Sequence, residues 1–448
     1  MGSEMCIRDR VLRQRLVMSF IAKTIYQSGV RFRNQRINSN LKFLIDSQGW
    51  SRDRLAERQQ SLLVELVGWA YEHCPHYRRK FDDAKFLPSE LKSVEDLARI
   101  PPLEKQDLLN SVELIQTEVN NEKLFYSETS GSTGQPLVFY RNADWDAWHN
   151  ASVIRGYHWH GVQPWERNGY LWGFNLSPAA RFKTRVLDRL QNRFRMFSYD
   201  DQEIEAFVNQ LRNATFLGGY SSMIYEIAKS INRNSNIGPL TNLKMVRGTS
   251  EKIFPKYQEE SQKAFGRKII SEYGAAETGI IAFECEAGSM HVNMETCIVE
   301  VENNEILVTN LVSKSFPIIR YRLGDYVDYD SDGQCACGMA HPIIREVTGR
   351  IGQKIVGVTR QYPSLTLYYV FKNLAQERQI TLNYQAIQDR PGFVRLDIEQ
   401  TLVHEERQHL IAECQKYFAD DISFDINEGS DLRSPSRKKR DFVSSLEV

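Results

Sequence analysis

The chain lacks a net charge: its 448 residues hold 57 Lys and Arg against 57 Asp and Glu. With a pI near 7.1 it is not a general polyanion binder, since such proteins meet phosphates with a surplus of basic side chains. It also lacks long hydrophobic runs; stretches such as Leu367 to Phe371 end after a few residues, so no sequence-evident spanning helix is expected. Cysteine is scarce. Seven residues (Cys6, Cys74, Cys285, Cys297, Cys335, Cys337, Cys414), irregularly spaced, do not make a disulfide framework. With no secretory leader ahead of them, the expected compartment is the reducing cytoplasm. Repeats, low-complexity tracts and linker-like Pro/Gly/Ser runs are missing from the first 300 residues.

What is there is a globular composition, 42% hydrophobic and 25% charged. Met1 to Arg10 (MGSEMCIRDR) reads as a vector or adapter remnant. The following stretch, Arg13 to Arg33, sets Val17, Phe20, Ile21, Ile25 and Val30 among Arg and Lys. It reads as a helix packed on the body or as one that touches a membrane surface. Leu55, Leu62, Leu66, Trp69 and Ala70 recur at helical steps and predict a helix over 53–73, stopped by Cys74-Pro75.

From about 165 to 285 strand-like and helix-like segments alternate, the pattern of an α/β sheet faced by helices. Strands are expected at Gly169 to Phe174, Ala214 to Leu217, Leu243 to Val246 and Lys268 to Ile270. Helices are expected at Asp201 to Leu211, Met223 to Ser230 and Pro255 to Phe265. In such sheets ligands sit beyond the C-terminal strand ends, here Gly218-Gly219, Gly248 to Glu251 and Tyr273 to Glu277. Cys297 to Val301 and Glu305 to Asn310, joined by Asn303-Asn304, read as a β-hairpin. Past about 350 the text becomes a small α+β unit, with a boundary at Gly349 to Gly352. The expected organisation is an extension over 1–40, a large domain over 41–349 and a small one over 350–448.

Five segments carry chemistry. Tyr126 to Pro136 (YSETSGSTGQP) sets hydroxyls among glycines, a composition that lets backbone N–H groups converge on phosphate oxygens. It is neither a Walker loop nor a dinucleotide fingerprint, and alone such a loop is commonly a solvated turn. The others are Ser271 to Gly279 (SEYGAAETG), Phe316 to Asp325 (FPIIRYRLGD), Thr348 to Ile351 (TGRI) and Ser434 to Val443 (SPSRKKRDFV). Arg320 and Arg322 flank Tyr321 on one face of a strand-like run and are as suited to pairing with acids as to a nucleotide.

In this order the five segments resemble the adenylate-forming ligases (the acyl-CoA synthetase superfamily), within them the phenylacetate–CoA ligase branch, and most of all its capsular-polysaccharide-associated members. The resemblance runs from Cys74-Pro75-His76-Tyr77 and Ile100-Pro101 to the final basic loop. It implies an α/β fold: a large N-terminal adenylate-forming domain with mixed sheets flanked by helices, and a small mobile α+β C-terminal domain. It implies a cytoplasmic acid–thiol ligase that joins ATP and a small carboxylic acid, aryl acids included, into an acyl-adenylate, then passes the acyl group to CoA. Ser130, Gly131, Ser132, Thr133 and Gly134 would hold the ATP phosphates. Tyr273 and Gly274 would lie at the adenine with Ser250 and Glu251 in its slot, Glu277 would bind Mg²⁺, and Asp325 would accept from the ribose hydroxyls. Arg350 would stand at the interdomain hinge. Lys438 would bridge carboxylate and α-phosphate, with Lys439 as the second candidate because Arg437 replaces the family's glycine. The acyl pocket would involve Phe216, Gly218-Gly219 and Tyr220. Cys285, His291, Cys335 and Cys337 could form a structural zinc site, or remain free thiols beside a surface histidine. Transfer to a sugar or amine, or a degenerate nucleotide-binding relative, are the rival readings. No nucleic-acid partner is expected, and the resemblance is compatible with a homodimer.

Overall fold

The computed structural model describes residues 19–119, 122–129, 137–171, 178–197, 201–234, 237–251, 253, 255–347, 354–380, 382, 384–430 and 442–446. The first strongly periodic segment forms the helix Arg52–His73, capped by the Ser51 side chain accepting from the Arg54 N–H. Its buried stripe is Leu55, Gln59, Leu63, Leu66, Val67 and Ala70, with Leu62 and Trp69 half-buried at its edge. Cys74 leaves helical geometry, and Pro75 opens the next helix, Pro75–Asp83, at a position where its missing N–H costs nothing.

A first two-stranded sheet pairs β1 (Phe125–Glu128) with β2 (Val138–Arg141). The alternating middle of the chain then builds a large sheet. Its strands are β3 (Asn168–Leu171), β4 (Arg193–Arg195), β5 (Phe216–Tyr220), β6 (Met245–Thr249), β7 (Ile270–Ala275), β8 (Gly279–Glu284), β9 (Met290–Val292), β10 (Cys297–Glu302), β11 (Glu305–Asn310), β12 (Ile318–Asp330) and β13 (Ile343–Val347). These eleven strands run in the order β10-β11-β12-β13-β9-β8-β7-β6-β5-β3-β4. Strands β3 to β7 pair in parallel; from β7 onward pairing is antiparallel, so the sheet is mixed. The fold class is the expected one.

The helices Asp201–Leu211 and Pro255–Phe265 have their expected bounds, whereas Ser221–Arg233 is longer than expected at both ends. Strand β5 differs from expectation: it continues through Gly218-Gly219 to Tyr220, because β3 and β6 pair with both its edges and hold the glycines extended. A Cβ on Gly219 would come within 2.4 Å of the Leu171 carbonyl oxygen, so the close approach of β3 requires glycine there. The hairpin of β10 and β11 turns at Asn303 and Asn304, both in the left-handed region with φ of 52° and 65°.

The chain divides into two compact units. One comprises Met1–Asp107, Glu113–Phe125 and Tyr140–Gly349; the other comprises Leu108–Val112, Tyr126–Phe139 and Arg350–Val448. The second unit contains β14 (Lys354–Val356), β15 (Gln361–Pro363), β16 (Tyr384–Arg390), β17 (Phe393–Ile398), β18 (Ser423–Asn427) and β19 (Phe442–Ser444). A four-stranded sheet, β18-β17-β16-β19, packs with the helices Leu365–Arg378 and His404–Phe418 around Leu367, Phe371, Tyr384, Leu396, Leu410 and Phe418. Within this unit Lys372 pairs with Glu128 at 3.0 Å, tying the end of β1 to the helix Leu365–Arg378.

Candidate active site

Three residues, Ala276 to Thr278, turn β7 into β8. Thr278 Oγ1 accepts the Ala275 N–H at 3.2 Å, and Gly279 takes φ +74°. Gly274 faces this turn so closely that a Cβ would stand 2.3 Å from the Gly279 carbonyl oxygen. Glu277 therefore sits at a hairpin tip yet is only 5% exposed. Its carboxylate accepts from the Tyr321 hydroxyl of β12 at 3.4 Å, and its backbone carbonyl accepts from Asn310 Nδ2 of β11 at 3.4 Å. No Lys or Arg pairs with it among the described residues, an unusual state for a buried carboxylate.

The second convergence is between β7 and β12. Tyr273, buried, donates its hydroxyl proton to Asp325 Oδ2 at 3.0 Å. Two segments 52 residues apart thus meet where the resemblance sets adenine and ribose. Strand β12 is anchored from the other side by Leu103, whose N–H donates to the Arg320 carbonyl at 2.9 Å and whose carbonyl accepts the Arg322 N–H at 3.0 Å. Arg320 pairs with Glu300 and Glu302, and Arg322 with Glu104, Glu302 and Glu305. Both arginines are committed to acids, the alternative their spacing left open.

Ser250 lies just past β6 with φ +67°, a strained conformation for a residue with a Cβ. Glu251 accepts the Ser222 N–H at 2.8 Å, so its carboxylate caps the start of the helix Ser221–Arg233. Phe216 is a core residue, packed with Val162, Met245, Ile270 and Phe283, and Tyr220 is equally buried. Ser130, Gly131, Ser132, Thr133, Gly134, Arg350 and Lys438, with Lys439, lie outside the described residues. At the base of the Ser/Thr/Gly loop the Thr129 N–H donates to the Leu137 carbonyl at 3.0 Å, and the Leu137 N–H to Thr129 Oγ1 at 3.2 Å.

Sequence reasoning missed two features. Tyr321, between the two arginines, had no role assigned and is the hydroxyl that meets Glu277. The buried pair Arg247–Glu272, 2.5 Å apart on β6 and β7, was not singled out. Burial alone would lower the Arg247 guanidinium, but Glu272 raises it overall. A charged residue inside each of two otherwise apolar parallel strands was the available signal. Gly218 lies beside this pair, with room for a Cβ only 3.1 Å from Arg247 Nη2.

A separate cluster joins the β8–β9 turn to the loop before β13. Donor atoms of Cys285, His291, Cys335 and Cys337 all lie within 4.8 Å of one another. Cys285 Sγ is 3.6 Å from Cys335 Sγ, and Cys337 Sγ is 3.2 Å from His291 Nε2. Sulfurs on a tetrahedral zinc stand about 3.8 Å apart, given Zn–S near 2.3 Å. His291 Nδ1 lies 3.3 Å from the His341 carbonyl oxygen, which would keep the proton on Nδ1 and leave Nε2 to face the sulfurs. The donor set fits a closed, four-ligand structural zinc site.

No family model matches the chain. Among curated proteins it is 24% identical over 386 residues to the phenylacetate-coenzyme A ligase of Escherichia coli K12, covering 80% of this chain and 86% of that one. It is 24% identical over 297 residues to Protein CapK of Staphylococcus aureus, covering 61% of this chain and 65% of CapK, just under two thirds. A 106-residue stretch is 39% identical to the phenylacetate-coenzyme A ligase of Aromatoleum evansii, 23% of this chain and 24% of that one. The chain is a homologue of the phenylacetate-CoA ligases and CapK. Its fold is that of 2-hydroxyisobutyryl-CoA ligase solved with 2-HIB-AMP and CoA: TM-score 0.63, 20% identity, 89% of this chain and 91% of that one. Within this fold Tyr273 meets Asp325, and Glu277 meets Tyr321, where β7 and the turn after it face β12.

Proposed function

We propose that the protein is an ATP-dependent, AMP-forming ligase that activates a small carboxylic acid as its acyl-adenylate and transfers it to CoA. The observation that carries this reading is the Tyr273–Asp325 hydrogen bond, which unites two of the five segments, together with the buried Glu277 of the first of them. The named activities of the homologues and the bound acyl-AMP and CoA of the structural neighbour support it.

In the first half-reaction a substrate carboxylate oxygen attacks the α-phosphorus and pyrophosphate leaves. In the second a thiolate attacks the acyl carbon and AMP leaves. Asp325, held by Tyr273, presents carboxylate lone pairs to ribose hydroxyls, and the Tyr273 ring borders the base. Glu277, without a cation partner among the described residues, is the ligand we assign to Mg²⁺, an ion that offsets charge on the triphosphate when bound. Ser130 to Gly134 donate to phosphate oxygens; Lys438 supplies the positive charge at the reacting oxygens; Arg350 serves the hinge between the 41–349 and 350–448 domains. Cys285, His291, Cys335 and Cys337 would hold zinc away from the reaction, where it staples two loops. The cytoplasm is the compartment this chemistry and the free thiols suit.

ATP–pyrophosphate exchange across a panel of carboxylic acids, followed by thioester formation with CoA, tests the reading. Exchange dependent on one class of acid is expected; no exchange with any acid would make the protein a nucleotide-binding relative without chemistry.

A further inference from the structure

The helix Pro178–Leu190 is built inside out. A helix on a soluble body ordinarily turns its apolar stripe inward. Here the inward side is polar: Asp188 is buried and bidentate to Arg195 of β4, at 2.5 and 2.8 Å. The outward side carries Phe182 (72% exposed), Val186, Leu187 and Leu190 (each about 45% exposed). Phe182, Val186 and Leu190 follow one another at four-residue steps and form a stripe along the helix. Lys183, Arg185 and Arg189 flank it, also exposed, and the helix's one acid is the inward Asp188.

A second helix, residues 19–33, in the same compact unit buries an apolar side but likewise leaves large apolar and basic side chains exposed. Its inward residues Ala22, Tyr26 and Val30 face the body, Val30 packing with Ala147 and Ile154. Its outward residues include Phe20 (71% exposed) and Phe32 (90% exposed), together with Lys23 and Arg31. No acid occurs between Asp9 and Asp46. The two helices reach a common point, Trp165: the Tyr26 ring lies 5.7 Å from it and Lys23 Nζ 5.5 Å above it. Asn192, just past the helix Pro178–Leu190, donates to the Trp165 carbonyl at 3.2 Å.

We propose that this edge of the molecule docks on an anionic lipid surface, the exposed apolar side chains entering the acyl boundary and the Lys and Arg side chains meeting lipid phosphates. The charge pattern selects this occupant. A second copy related by a two-fold axis would set Lys183, Arg185 and Arg189 against their own images with no acid to answer them. A nucleic acid would satisfy the bases but leave Phe182, Val186 and Leu190 in water. An anionic bilayer satisfies both, as interfacial amphipathic helices do. Attachment is peripheral, since no described helix is long and apolar enough to cross a membrane. The inference is independent of the ligase reading.

The test is co-sedimentation of the full chain with phosphatidylcholine vesicles, with and without phosphatidylglycerol. Binding to the anionic vesicles, weakened by salt, is expected. Replacing Lys183, Arg185 and Arg189 by Gln should weaken partition by about a hundred-fold, at roughly ten-fold or less per charge. Phe182→Ser with Leu190→Ser should abolish it without lowering the thermal midpoint, because neither residue is buried. No binding to either vesicle would overturn the proposal. So would a concentration-dependent dimer lost in the Phe182→Ser, Leu190→Ser variant, which would hand the face to a second copy.

Discussion

Tyr273 and Asp325 form a hydrogen bond, 3.0 Å from hydroxyl to carboxylate, that joins the end of β7 to the middle of β12. A carboxylate so held is oriented before any ligand arrives. Tyr273→Phe should raise the KM for ATP roughly ten-fold or more, since hydrogen bonds to charged groups contribute about 1.5–3 kcal/mol. Asp325→Asn should do at least as much. The double variant should fall short of the sum, the mark of a shared interaction; strictly additive effects would separate the two residues.

Lys438→Ala should abolish ATP–pyrophosphate exchange yet spare thioester formation from a supplied acyl-adenylate, since its charge serves the first half-reaction. Exchange at the parent rate would move the role elsewhere, first to Lys439.

Glu295 lies fully buried in a knot of side chains from four parts of the large unit. Its Oε1 accepts from Ser47 at 2.6 Å and Arg155 at 2.7 Å, with His341 Nε2 at 3.1 Å. Burial alone would raise this carboxyl, but Arg155, His341 and Ser47 hold it well below the usual range. Its stabilisation is therefore complete above the unfolded value of about 4.3 and is lost as pH falls through the lower folded value. Glu295→Gln should lower stability by about 3–5 kcal/mol near neutral pH, leaving Arg155 buried without its partner. Urea midpoints of the two proteins should converge in acid; a variant as stable as the parent at neutral pH would show the knot to be dispensable.

Burial, with Arg141 and Arg33 acting the same way, pushes the His149 imidazole down to about 3. Below the unfolded value of about 6.5 the unfolded chain takes a proton that the native site refuses. Stability should accordingly be flat above that pH and decline from there toward 3. His149→Leu should shallow the decline between 6.5 and 4.5, above the Glu295 window. The slope should shrink rather than vanish, because His76 and His160 are shifted down as well. An unchanged slope would mean that His149 already charges in the native state.

The Cys285, His291, Cys335 and Cys337 cluster should copurify with one zinc per chain, and chelation should lower the thermal midpoint. Cys335→Ser should lose metal and stability while ATP–pyrophosphate exchange persists at lower temperature. Metal-free protein of unchanged midpoint would leave four neighbouring side chains with no structural metal.

Local chemistry was readable from the text alone. The helix Arg52–His73 announces itself by apolar residues at three- and four-residue steps, and the β10–β11 hairpin by Asn303-Asn304. These elements depend on neighbours a few residues away, which any reader of the chain can see. The motif segments were visible for the same reason, each being a short string of unusual composition.

Pairings across long separations were decided only when the strands had taken their order. Glu277 finds Tyr321 44 residues on, and Cys285 finds Cys335 50 residues on, because β8, β9, β13 and β12 lie side by side in that sequence. Nothing local in GIIAFE or IIREV specifies which edge pairs with which. The helix Pro178–Leu190 adds a case of shorter range: its amphipathic spacing is written in the residues, yet the direction in which its apolar stripe points goes with Asp188 turning inward to Arg195 on the next strand. Short-range periodicity determines what an element is; burial and charge pairing between remote segments determine which of its faces meets the protein and which is left to a partner.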